Sequence, residues 1–259
     1  MSKTSDLWQL TGSAAQLKGI PLRAQVRLDA PDRGVEQLLG PDAIASPCRI
    51  LCWSPQSDVA SPVKLVEGYV RGADLIATFA AAPPQTVQPQ IYWRARHESS
   101  LQAVGIELIV SVQTSLLDSN PESIVVSEVP PGDAWRLIDL QHSKFSPIAF
   151  DEPANLDSWA RGDGPIPAAA SLLVVRPSAE TFSYAEMIHP SDFVAVDCRL
   201  DLAAEPRLRL TTRLFPERLE KGVIRRGRVC GWFVPREQDF QIAGELFRRF
   251  VVEPPPLTT

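Results

Sequence analysis

The feature that most constrains this chain is a recurring pattern of short apolar or alternating runs, each closed off by turn residues. In IPLRAQVRLD (20–29), Leu22, Ala24, Val26 and Leu28 fall on one side and Arg23, Gln25 and Arg27 on the other. A period of two marks a half-buried strand. CRILCW (48–53), DLIATFA (74–80), QIYWRAR (90–96), GIELIVSVQTS (105–115) and SIVVSEV (123–129) read the same way. So do AASLLVVRP (169–177), DFVAVDCRLDL (192–202), RLRLTTRLF (207–215) and GVIRRGRVCGWFV (222–234). The 24 prolines in 259 residues argue against long helices, because Pro removes a helix hydrogen bond and clashes with the preceding turn. Strands this short and this regularly spaced predict a mainly β fold of antiparallel sandwiches with few short helices.

Helical candidates are DRGVEQLLG (32–40), closed by Gly40, and NLDSWARG (155–162), ending at Gly162. The tail FQIAGELFRRFVV (240–252) is ambiguous. Asp239 could cap a helix that buries Phe240, Phe247 and Val251, but a strand is preferred because of an internal echo. Residues 70–79 fall on 188–197, pairing Asp74 with Asp192. After one residue of slippage Pro89 falls on Pro206, Arg96 on Arg213, Gly105 on Gly222, Val112 on Val229 and Glu128 on Glu245. SIVVSEV then falls on FQIAGEL, a strand on the tail. The echo is compatible with a duplicated unit of pseudo-two-fold symmetry. The Pro-, Gly- and Asp-rich stretch 151–168 is the expected linker or crossover. It separates a first β unit (1–150) from a second (169–259) that shares its core or packs beside it.

The net charge of −5 does not favour nucleic acid as a partner. No run approaches the ~18 apolar residues that a membrane span needs, and the start lacks the pattern of a secretory signal. A cytoplasmic protein is expected. Cys48, Cys52, Cys198 and Cys230 make no disulfide framework. On a regular strand Cys48 and Cys52 would share a face roughly 13 Å apart, so buried reduced thiols are expected.

YAEMIHPSDF (184–193) gathers Glu186, His189 and Asp192 around a His-Pro turn. Glu186 and His189 are the candidate catalytic acid and base, and Asp192 is the residue that would hold the turn through backbone N–H groups. The commoner role for such a stretch is a turn between strands. PQIYWRARHES (89–99) sets Tyr92, Arg94 and Arg96 on one side of a strand, with Trp93 and Ala95 facing the core. In GVIRRGRVCGWFV, Arg226 and Arg228 share a face with Cys230 and Trp232. Arginine beside aromatic surface suits phosphate or sugar, by bidentate bonds and stacking, although solvated strands carry the same residues. Phosphate-loop, dinucleotide and metalloprotease signatures are absent, as is the serine-hydrolase elbow. No cofactor or metal is expected.

This β-rich pattern, with a carboxylate and a histidine on loops, is similar to the large sandwich folds of sugar-binding and sugar-epimerising proteins. That likeness is one of fold class, and it transfers no catalytic residue. Two readings follow. One is a non-enzymatic binding or assembly module with an exposed, homodimer-forming sheet surface. The other is a carbohydrate-binding or epimerase-like protein with its site near Glu186 and His189, taking a sugar or an acidic small molecule.

Overall fold

Alternation and turn chemistry become strands in a computed structural model that describes residues 6–40, 48–55, 63–81, 87–150, 159–160, 171–202, 205–215 and 217–254. One nine-stranded antiparallel sheet, sheet 1, has the order β1 (Trp8–Thr11), β2 (Ala14–Leu17), β3 (Arg23–Arg27), β4 (Val35–Leu39), β5 (Arg49–Pro55), β10 (Ser123–Val129), β17 (Arg207–Leu214), β16 (Phe193–Asp201), β13 (Trp159–Ala160). The other nine-stranded sheet, sheet 2, has the order β12 (Lys144–Pro147), β11 (Gly132–Asp139), β14 (Leu172–Pro177), β15 (Phe182–Ile188), β18 (Ile224–Pro235), β9 (Ala103–Gln113), β8 (Gln88–Glu98), β7 (Asp74–Phe79), β6 (Leu65–Arg71). The sheets face each other across one apolar core. Trp53 of sheet 1 stacks on Phe79 of sheet 2 at 5.7 Å, among Trp93, Leu108, Val125 and Phe233. The predicted antiparallel sandwich is what the chain forms. No helix among the described residues is long and apolar enough to cross a membrane.

Both sheets draw strands from both sides of residues 151–168. Strand β10 pairs with β17, and β9 pairs with β18 from Ile224↔Gln113 to Phe233↔Val104. Most of the linker itself lies outside the described residues. The segment 155–162, read as helical, is a strand at Trp159–Ala160, with its other residues outside the described set.

Three local expectations are corrected. The tail is not a strand but a helix, α1 (Asp239–Val252). It buries Ile242, Ala243, Leu246, Phe247 and Phe250, a helical spacing along one face, against Leu172, Val174, Met187, Cys230 and Trp232 on the outer face of sheet 2. That face is a second apolar surface that only an amphipathic element could cover. The last part of the echo therefore pairs a strand, 123–129, with a helix. Nor does DRGVEQLLG form a helix. A short 3-10 turn at Pro31–Arg33 ends at Gly34 and leads into β4. Gly34 has φ +64, and a Cβ there would lie 2.4 Å from the Ile50 carbonyl oxygen, so close strand approach rather than helix capping sets this segment. Finally, Cys48 and Cys52 do not share a face. Leu51 has φ +56, and a bulge opposite Val126–Glu128 places Cys48 in the core and turns Cys52 to the Val126 side. All four cysteines are free and buried, and burial pushes the Cys48 and Cys52 thiols up to about 12.

Helix α1 is pinned at its start by Asp239, which is almost fully buried. Its carboxylate accepts Arg176 Nε and Nη2 at 2.7 and 2.8 Å, the Ser183 hydroxyl at 2.6 Å and the Phe240 N–H at 2.8 Å. The Arg176 guanidinium lies over the Trp135 and Phe240 rings. Asp239→Asn is expected to cost about 1.5–3 kcal/mol, the range for hydrogen bonds to a charged group, read from urea unfolding.

Candidate functional site

Antiparallel partners point to the same side of a sheet, so register alone builds the outer face of sheet 2. Across β7, β8, β9 and β18 it carries the rows Asp74–Arg94–Glu107–Cys230, Ile76–Tyr92–Ile109–Arg228 and Thr78–Gln90–Ser111–Arg226. Arg96 pairs with Gly105, which pairs with Trp232. Tyr92, Arg94, Arg96, Arg226, Arg228 and Trp232, proposed from two distant sequence stretches, therefore share one face.

The helix divides that face. Near its C-terminus Glu107 and Arg228, 0% and 1% exposed, lie with carboxylate and guanidinium 3.8 Å apart. Arg96 donates to Glu107 from Nε at 2.9 Å and from Nη2, and reaches the Glu253 carboxylate at 2.9 and 3.0 Å. Arg228 Nη2 donates to the Glu253 and Phe250 carbonyls at 3.0 and 3.4 Å, with its guanidinium over the Phe250 ring. His189 Nε2 lies 3.2 Å from the Val251 carbonyl, and its ring meets the edge of Phe250. Cations and N–H donors thus collect where the helix presents unsatisfied carbonyls and the negative end of its dipole. Trp232 lies beneath the helix. Arg96, Arg228, His189 and Trp232 hold the helix to the sheet.

The other part of the face, on β6 to β9, is not under the helix. Asp74 takes Arg94 Nε at 2.6 Å and Nη2 at 3.0 Å. Tyr92 clusters with Ile76 and Ile109 and is buried, so its ring offers no stacking surface. Its hydroxyl donates to Gln90 Oε1 at 2.6 Å, and Gln90 Nε2 donates to Thr78 Oγ1 at 3.1 Å. Beside them on β6, Tyr69 is 37% exposed and Arg71 is exposed. The sequence reading missed Tyr69, Arg71 and Glu107, and noted Asp74 only as the counterpart of Asp192 in the internal echo. The signal that finds them is register: β6 pairs with β7 as Arg71↔Asp74 and Tyr69↔Ile76.

Glu186 and His189 are not brought together. The turn is confined to 189–192, closed by Asp192 N–H on the His189 carbonyl at 2.9 Å. Asp192 Oδ2 accepts the Arg228 N–H at 3.0 Å, and its Oδ1 accepts the Ser191 hydroxyl at 2.6 Å. Glu186 lies on β15, where Ala185 and Met187 face the helix while Tyr184, Glu186 and Ile188 face the sandwich core. There Tyr184 donates to Glu186 Oε2 at 2.7 Å, the Ser127 hydroxyl is 3.3 Å from the Tyr184 oxygen, and Ser127 Oγ accepts the Leu51 N–H at 3.0 Å. Burial pushes the Glu186 carboxyl up to about 7, with the Ser127 and Tyr184 hydroxyls offsetting part of the shift. Burial also raises the Tyr184 phenol well above its usual value. Among the described residues no three His, Cys, Asp or Glu side chains gather where they could hold a metal.

No protein-family model and no curated protein matches the sequence. Among solved structures, the protein HI1317 aligns with 89% of this chain and 99% of its own at 9% identity and TM-score 0.48. A GalM/aldose epimerase homologue from C. elegans aligns at 7% identity and TM-score 0.48, covering 89% of this chain and 99% of its own. A putative aldose 1-epimerase from Klebsiella pneumoniae aligns at 7% identity and TM-score 0.48, covering 95% of this chain and 86% of its own. At these identities and TM-scores the likenesses carry no functional reading, which rests on the residues of the chain's own sheet faces.

Proposed function

We propose that the protein is a carbohydrate-binding β-sandwich that takes a sugar bearing an acidic group on the open part of the outer face of sheet 2. One observation carries this reading: exposed Tyr69 and Arg71 adjoin the Tyr92–Gln90–Thr78 chain and the Asp74–Arg94 pair on one surface. Sugar hydroxyls both donate and accept, as amides and hydroxyls do. A tyrosine ring packs against the apolar face of a pyranose, and guanidinium matches carboxylate or phosphate. Asp74 uses the Nε and Nη2 edge of Arg94 and fixes its rotamer, a pre-organised donor. Glu186 and His189, pointing to different sides of the sheet, form no acid–base pair, so the geometry supports binding better than epimerisation.

The test is thermal unfolding with hexoses, hexose phosphates and hexuronates. A ligand at 100 times its dissociation constant adds about 2.7 kcal/mol, a shift of several degrees. The expected result is a shift with hexose phosphate or hexuronate that is lost in Tyr69→Ala and in Arg71→Ala, two exposed positions. A shift that survives both substitutions, or none with any of these sugars, would overturn the reading. Polarimetry of hexose-phosphate anomers should show interconversion at the uncatalysed rate; acceleration would restore the enzymatic alternative.

A further inference from the structure

We infer that sheet 1 carries a second and separate ligand site, a cleft on β2 to β4 shaped for an acidic oligosaccharide. The cleft has a volume of about 560 Å³ and is lined by Gln16, Lys18, Arg23, Gln25, Gln37 and Leu39. It lies on the solvent side of sheet 1, away from the face bearing Tyr69 and Arg71, and does not depend on that site.

The first reason is the row of amides. Gln16 and Gln25 are directly paired on β2 and β3, and Gln37 comes from β4 beside them. Neighbouring strands are about 4.8 Å apart, close to the length of one pyranose unit, so successive amides can meet the hydroxyls of successive sugars. Among the described residues none of Gln16, Gln25, Gln37 and Arg23 makes a side-chain hydrogen bond or ion pair. This sets them apart from the rest of the same sheet face, where Arg49 and Arg209 share Glu128 and Arg27 pairs with Asp29.

The second reason is a distortion that serves the cleft. Gln37 has φ +51, a left-handed conformation that L side chains other than Asn and Asp seldom adopt. The ladder shifts here, with Arg23 opposite Leu39 and Gln25 opposite Glu36. Glu36 and Gln37 therefore turn outward in succession while Leu38 stays in the core. A bulge re-aims side chains, and this one adds a third amide to the row. The third reason is charge. Arg23 and Lys18 stand at the β2–β3 end of the cleft. Lys18 is tethered to Gln9 Oε1, while the Arg23 guanidinium is available for a carboxylate. Leu39, 48% exposed, supplies an apolar wall.

The test is a 15N-labelled NMR titration with trigalacturonate, and with maltotriose as the neutral counterpart. Trigalacturonate is expected to shift amides of residues 16–25 and 37–39, and Arg23→Ala or the Gln16→Ala/Gln25→Ala pair should weaken it at least tenfold. Gln37→Gly should raise the melting temperature, by relieving the left-handed strain, yet weaken binding; Gln37→Asn should keep both stability and binding. The Tyr69→Ala and Arg71→Ala variants should bind as wild type, so failure of the sheet 2 site leaves this one standing. The inference is overturned if millimolar trigalacturonate shifts nothing, if the shifts fall only on sheet 2, or if maltotriose binds as tightly.

Discussion

Glu186→Gln is expected to remove a fall in stability that the wild-type protein shows between pH 4.5 and about pH 7. The carboxyl lies in the sandwich core and its folded value is pushed from 4.5 up to about 7 by burial. Below pH 4.5 it is neutral in both states and ionisation carries no penalty. Between the two values the unfolded chain ionises while the folded chain keeps its proton, so stability falls as pH rises. Above about pH 7 the whole penalty is present, about 3 kcal/mol from the size of the shift. Gln keeps the shape and can still accept from Tyr184 without carrying charge. The measurement is urea unfolding of both proteins at pH 5 and pH 8. The stability difference, variant minus wild type, should grow by about 3 kcal/mol from the lower to the higher pH, which corresponds to roughly 6–12 °C in melting temperature. A difference that stays flat with pH would mean that the carboxyl is solvated or paired.

Arg228→Ala is expected to cost about 3–5 kcal/mol, because removing one partner of a buried ion pair leaves the other charge uncompensated. Glu107 would keep Arg96 but lose the cation on its other side. The Phe250 and Glu253 carbonyls would lose their donor. Because the guanidinium also covers the Phe250 ring, lysine should not rescue the variant. Hydrogen exchange gives the specific readout: amides of residues 246–252 should lose protection first, ahead of those in β8 and β9. A loss below about 1 kcal/mol, or exchange that rises evenly across the sheet, would show that Arg228 does not fasten the helix.

The strands were legible wherever alternation was regular. Leu22, Ala24, Val26 and Leu28 are buried as their period demands, and Trp93 and Ala95 face the core opposite Tyr92, Arg94 and Arg96. What period cannot encode is which strands pair. Asp74 and Glu107 became partners of Arg94 and Arg96 only through the β7–β8–β9 register. The tail misled because Phe240, Ile242 and Leu246 keep a period of two while Ile242, Leu246 and Phe250 keep a helical one, and the echo tipped the reading toward a strand. In YAEMIHPSDF the turn signal of Pro190 hid a period of two: Tyr184, Glu186 and Ile188 alternate with Ala185 and Met187. Reading it would have sent Glu186 and His189 to different places. The bulges at Gln37 and Leu51 carry no sequence mark, since neither uses glycine.

The way β9 meets β18, and β10 meets β17, has a consequence for how the chain reaches this state. Paired residues in the middle of the two sheets lie from 79 (Val129↔Leu208) to 129 (Phe233↔Val104) residues apart in sequence, so β1–β5 with β10, and β6–β9, can pair early, but neither sheet is complete until the C-terminal strands exist. A topology so rich in distant pairings folds slowly. The nascent N-terminal part, in which β9 has β8 and β10 has β5 but each lacks its C-terminal partner, would spend that time with two unpaired strand edges exposed. Synthesis should thus deliver a chain whose two half-built sheets wait for β17 and β18, and two fragments divided between β12 and β14 should associate along those edges when mixed.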